Sequence, residues 1–252
     1  MVVCPVCLGL LAQTRQTPAN PPAAETGFAA YAQRNFQIAQ AHYREAPGEA
    51  TAAWKFARAC FDLADLATNK TERASLAELG IAAAQAAIVR ESNSAPAHYY
   101  LGMNLGQLAS TKGLTALRLV TRMQGEFSQA RELEERLDWA GPDRNLGLLY
   151  RDAPAIGSIG SRSKAREHLK RAVELAPRYP ENPLNLIEAY LKWGETNNAR
   201  RELAALEEVW PGARANFAGE AWAASWADWE PRLKKLQRKI EGPPKSLGAP
   251  RN

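Results

Sequence analysis

Residues 180–213 read PENPLNLIEAYLKWGETNNARRELAALEEVWPGA. Two antiparallel helices joined by a short turn account for this stretch. Counted from Pro180 as position one, Leu186 is seventh and Tyr190 eleventh. Gly194 falls at the turn, Ala199 is twentieth, Leu203 twenty-fourth and Pro211 thirty-second. Asn182-Pro183 offers an N-cap followed by a proline at the first helical position. Gly194 is suited to the left-handed conformation that ends the first helix. The small side chain of Ala199 lets the two helices approach closely.

The same pattern repeats upstream. Pro177 lies 34 residues before Pro211, and Ala165, Leu169 and Ala172 precede it on a second helix. Leu146-Gly147 and Tyr150 lie on the matching first helix. About six extra residues, within 152–161, make the intervening turn a loop. A further first helix is expected from Ala95, with Leu101-Gly102 at positions seven and eight, after a second helix that carries Ala87 and runs to Arg90. Trp54 and Phe61 mark the partner of that second helix, with an insertion of about ten residues. Residues 113–138 form a longer amphipathic stretch from Leu114 to Leu137. The end, 215–240, places Trp222, Trp226 and Trp229 on one helix face, a cap for the last repeat. A basic cluster, Arg232 to Lys239, follows where it complements the helix dipole.

A period near 34 with paired helices resembles the tetratricopeptide (TPR) repeat. The reading is all-α: TPR-like helix-turn-helix repeats stacked as an α-solenoid over 25–241, with a C-terminal capping helix. A narrower likeness lies in Gly141-Pro142-Asp143-Arg144-Asn145-Leu146-Gly147-Leu148-Leu149-Tyr150. It continues through Ser163-Lys164-Ala165, Ala172-Val173-Glu174-Leu175-Ala176-Pro177 and Tyr179-Pro180-Glu181-Asn182. This run resembles the T-component family of TRAP transporters. The resemblance implies a periplasmic accessory of solute uptake, with a solute-binding subunit as partner, a ligand-accessible channel and homo-oligomers. A generic TPR scaffold for protein–protein interaction is the alternative.

Val2 to Ala12 carry no charge, and Arg15 is the first charged residue. Residues 1–24 are therefore read as a signal peptide and linker, and the protein as periplasmic or secreted, with a cytoplasmic location as the alternative. Residues 242–252 read as a disordered tail. No segment has the length and apolar character to span a membrane. The formal charge of +5 is spread among interleaved acids and bases, as in Arg131-Glu132-Leu133-Glu134-Glu135-Arg136, which argues against nucleic acid as partner. Cys4 and Cys7 lack the further ligands of a closed zinc site, and Cys60 falls on a core pattern. Gly157-Ser158-Ile159-Gly160-Ser161 lacks the Lys-Ser/Thr pair of a phosphate loop. With no catalytic motif, metal site or cofactor in view, the chain is read as a binding protein and not an enzyme.

Inward positions of the first helices nominate the binding residues: Tyr99, Met103, Arg144, Leu148, Arg151, Leu184 and Glu188. Two arginines among apolar groups suit a small amphipathic or anionic ligand, since a guanidinium grips a carboxylate with two parallel hydrogen bonds.

Overall fold

A computed structural model describes residues 23–112 and 116–241. The regular elements among these residues are all helical. They are α1 (Ala23–Glu45), α2 (Ala50–Leu66), α3 (Lys70–Arg90), α4 (Ala95–Thr111), α5 (Ala116–Leu133), α6 (Leu137–Asp152), α7 (Arg162–Leu175), α8 (Glu181–Lys192), α9 (Thr196–Asn216) and α10 (Ala223–Glu241). A 3-10 turn, Glu220–Trp222, precedes α10. Residues 1–22 of the segment read as leader and linker, with Cys4 and Cys7, and the tail 242–252 lie outside the described residues, while Ala23 and Ala24 already belong to α1.

Four hairpins stack in order: α2 with α3, α4 with α5, α6 with α7, and α8 with α9. Local chemistry sets their ends. Asn69 starts α3 by accepting the Glu72 amide at 2.9 Å. Gly194 ends α8 with φ of 76°, while the amides of Gly194 and Glu195 return to Leu191 and Tyr190 at 3.1 and 2.8 Å. That double bond pattern needs a left-handed residue at this position. Within hairpins, glycine admits the partner helix. A Cβ at Gly102 would stand 2.6 Å from Phe127, and one at Gly147 would stand 2.6 Å from Leu169.

The structure revises four local expectations. The extra length in the first hairpin lies in its helices, since α2 and α3 are joined by residues 67–69 alone. Asn182 is not the cap of α8; Pro180 is, and the Asn182 side chain is buried between α6 and α7. Pro211 sits inside α9, which continues to Asn216. The 113–138 stretch is not one helix, because α5 stops at Leu133 and the chain turns before α6.

The core has two halves. Phe56, Cys60, Leu101, Leu105, Met123, Phe127 and Leu149 fill the first, between α2 and α7. Leu184, Ile187, Leu203, Trp226, Trp229 and Leu236 fill the second, where α10 seals the last hairpin. Trp229 is 1% exposed, and burial of a large apolar side chain contributes about 1.5–3 kcal/mol. Having crossed α8, α10 also reaches α1, so the two ends of the stack meet. Arg34 donates to both oxygens of Glu220, at 3.0 and 2.9 Å, across 186 residues of sequence.

Candidate functional site

That meeting of the ends turns the concave face into a partly open cavity of about 510 Å³. From α2 come Trp54, Arg58, Phe61, Asp62 and Asp65, spaced to fall on one helix face. Tyr99, Tyr100, Met103 and Gln107 face it from α4, again at helical spacing. Phe28 and Tyr31 of α1, and Trp222 and Asp228 at the C-terminal end, complete the enclosure.

The floor is an unusual break in α6. Asp138, Trp139 and Ala140 all have positive φ, at 49°, 53° and 63°. Left-handed backbone costs a residue with a side chain roughly 1–2 kcal/mol. Arg144 and Asn182 hold it in place. Arg144 Nη1 donates to the carbonyls of Asp138 and Trp139 at 3.2 and 3.3 Å, and Asn182 Nδ2 donates to Trp139 at 2.9 Å. The break turns the Asp138 carboxylate onto Tyr99, whose hydroxyl donates to it at 2.6 Å, and onto Arg144 Nη2 at 2.7 Å. It also turns the Trp139 ring onto Tyr179, stacked at 5.1 Å, and onto Trp222, edge-on at 5.1 Å. Burial, with Asp138 beside it, pushes the Tyr99 phenol well above its ordinary pKa. Burial works against the Arg144 charge, yet the surrounding tyrosines and carboxylates hold it firmly protonated.

The wall made by α2 and α4 is different. Asp62 lines the cavity and is about a quarter exposed, at 27%. Burial raises its pKa to about 7; Arg58 opposes the rise, and Asp65 and Asp138 add to it. Arg58 lies 3.9 Å from Asp62 and over the Tyr100 ring, with 58% of its side chain exposed. Gln107 Nε2 donates to Asp65 at 3.1 Å.

A solved structure shares this arrangement of helices. The chain is similar to TTC0263, a thermophilic TPR protein in Thermus thermophilus, at 17% identity and a TM-score of 0.55, over 86% of this chain and 94% of that one. The fold is TPR-like. The model of a family described as Regulator of microtubule dynamics protein 1-3 matches residues 23–135 of this TPR-like chain. That stretch spans α1 to α5 and includes Asp62, Asp65 and Gln107. No curated protein matches the sequence.

The structure distributes the nominated binding residues unevenly. Tyr99, Met103 and Arg144 line the cavity. Leu148 and Leu184 are buried in the second core, 1% and 0% exposed. Arg151 pairs with Asp152 at 3.0 and 2.7 Å, and Lys192 joins them at 2.8 Å. Glu188 is held by Arg232 of α10 at 2.9 and 3.0 Å. The inward face of the last hairpin is therefore occupied by the capping helix of the chain itself. Sequence reasoning passed over Asp62, Asp65, Gln107, Asp138 and Trp139. The polar positions of α2 at helical spacing with Trp54 carried a readable signal for the first two. None of residues 138–140 is glycine, but Gly141-Pro142 directly after them is a signal of a break in the helix.

Proposed function

We propose that this chain is a TPR-type binding protein whose cavity between α1, α2, α4, α6 and α10 receives side chains of a partner protein segment, with no catalytic role. The carrying observation is the cavity itself. Its 510 Å³ falls within the size range of ligand sites, and it combines aromatic walls with a few fixed polar groups. The TPR-like fold supports a protein partner. Stacked hairpins present a preformed concave face, so little ordering is needed on binding. Both arginines that suggested an anionic ligand already hold carboxylates of this chain, Arg144 with Asp138 and Arg151 with Asp152.

A displayed library of random peptides, selected on the full chain, tests this reading. Selected peptides are expected to lose binding to Met103→Glu, which places a charge in the cavity, while circular dichroism shows the fold intact. Peptides that bind this variant equally well, or a selection that yields none, would count against the reading.

A second reading rests on the closure of the cavity by α10, which suits a small amphipathic ligand. Together with the likeness of residues 141–182 to the TRAP T-component family, it supports an exported accessory of solute uptake. Co-purification of a solute-binding subunit, lost on Met103→Glu, is the expected result. Recovery of that subunit regardless of the substitution would remove the cavity from the reading.

A further inference from the structure

Away from the cavity, the turns of the last two hairpins come together at one edge of the stack, and that edge is basic. Arg162 and Arg166 stand one helical turn apart on α7. Their guanidiniums each lie 5.4 Å from the centre of the Trp193 ring, just past the end of α8. Both donate through Nη2 to one oxygen of Glu195, and Asn198 Nδ2 donates to the other at 2.7 Å. Asn198 in turn accepts from Arg201. At the end of α6, Arg151 and Lys192 share Asp152. Lys164 lies 5.2 Å over the Tyr150 ring.

Two carboxylates thus serve four cations, and all four of their oxygens already accept. Lys164, Arg200 and Arg201 add three positive charges. Against these stand Glu202, beside Arg201, and the exposed Glu167. Seven cations therefore meet four carboxylates. The cations also keep donors to spare. Arg162 and Arg166 use Nη2 alone, so their Nε and Nη1 groups donate to nothing among the described residues. These two side chains are 53% and 39% exposed, and Lys192 is 54% exposed. Stacking on Trp193 holds both guanidiniums in place, so binding costs them little freedom.

A guanidinium pairs with a carboxylate through two parallel N–H bonds. Discrete carboxylates on a flexible segment can address the arginines one at a time and step past Asp152 and Glu195. A continuous phosphate chain has to run over those acids. Trp193 carries two guanidiniums and packs against the core, which leaves no ring face for a base to stack on. We propose that the edge formed by Arg162, Lys164, Arg166, Lys192 and Arg201 docks an acidic segment of a partner protein. None of these residues lines the cavity, so this surface stands whether or not the cavity takes a partner.

Fluorescence anisotropy of labelled hexaglutamate, titrated with the full chain at low salt, tests the surface. Hexaglutamate is expected to bind about tenfold or more tighter than hexaglutamine, and to weaken as salt is added. Arg162→Gln combined with Arg166→Gln is expected to weaken it by about tenfold or more. Lys164→Gln combined with Arg201→Gln removes two cations that hold no carboxylate among the described residues. This pair covers the case in which the first double variant fails to fold, with a loss of about threefold or more expected. Arg118→Gln combined with Arg122→Gln, on α5, removes the same net charge elsewhere and should leave binding unchanged. Equal losses in the α5 variant would assign the attraction to net charge and overturn the proposal, as would failure of hexaglutamate to bind. Tighter binding of oligothymidylate or of phosphatidylglycerol vesicles than of hexaglutamate, lost in the edge variants, would give the edge to another class of partner and overturn it too.

Discussion

Two charged residues in the cavity have opposite consequences when neutralised. The Asp62 pKa is raised from 3.8 to about 7, so the folded chain binds a proton more tightly than the unfolded chain. Between those values the native state holds more protons, and stability falls as pH rises through the window. Asp62→Asn removes this penalty. It is expected to raise stability above pH 7 by on the order of 1–4 kcal/mol and to change little near pH 4. Thermal melts of both proteins at pH 4.5 and pH 8 measure the difference; a gain larger at the lower pH would reverse the assignment. Arg144 behaves in the other sense. It is 4% exposed and donates to Asp138, Tyr99, Asn182 and the carbonyls of the left-handed break. Arg144→Met leaves those acceptors buried and is expected to cost about 3–5 kcal/mol. Urea unfolding reads that loss. A cost below about 1 kcal/mol would mean that the break holds itself.

At the scale of the element, one substitution should act with opposite signs at two glycines. Gly125 lies exposed inside α5, and a Cβ there meets nothing within 4 Å. Gly125→Ala is expected to stabilise by about 0.5–1 kcal/mol, through helix propensity and a less flexible unfolded chain. Gly102 faces the Phe127 ring, which is 0% exposed and has nowhere to go. Gly102→Ala is expected to cost about 1–3 kcal/mol by overpacking. Chemical denaturation of the two variants decides it, and equal effects would deny the close approach its role. Gly102 and Gly147 belong to the part of the fold that was legible beforehand. Helix pairing leaves a local record: small and apolar residues recur with the repeat, and Trp226 and Trp229 pack inward from the cap, although Trp222, expected on the same helix face, lies in the 3-10 turn before it. The cavity left no such record. Its floor depends on three left-handed residues whose strain is relieved by Arg144 and by Asn182 from the next hairpin. Leu184 and Glu188 looked inward by repeat position, but α10 covers them, and no repeat frame places a capping helix. Asp62 and Asp65 share a face of α2 with Trp54, a spacing legible in the sequence, but no repeat position shows that α1 and the C-terminal end come to stand opposite them.

Closure is a property of the whole molecule, and its weakest part is α1. Among its described side chains only Ala32 is buried. Phe36 and Tyr43 pack partly buried against Phe56, at 5.4 and 5.5 Å between rings. The Arg34–Glu220 pair that ties α1 to the far end has both side chains about half exposed, at 55% and 48%. A pair of that kind contributes about 0–1 kcal/mol. By contrast, α4 and α6 bury most of their length between neighbours on both sides. Local opening follows the density of buried contacts, so α1 should detach before any other helix yields. Detachment removes Phe28 and Tyr31 from the cavity wall and exposes Asp62 further, which widens a ligand's way in. Hydrogen exchange under native conditions should therefore find the amides of α1 least protected and those of α4 and α6 most protected. A cavity ligand should slow exchange in α1 more than in α9, which does not face the cavity. Glu220→Arg should leave this order unchanged, because the ion pair is not what holds the ends together. If α1 instead exchanges as slowly as α4, the wall it forms is rigid and a ligand enters through the cavity mouth as it stands.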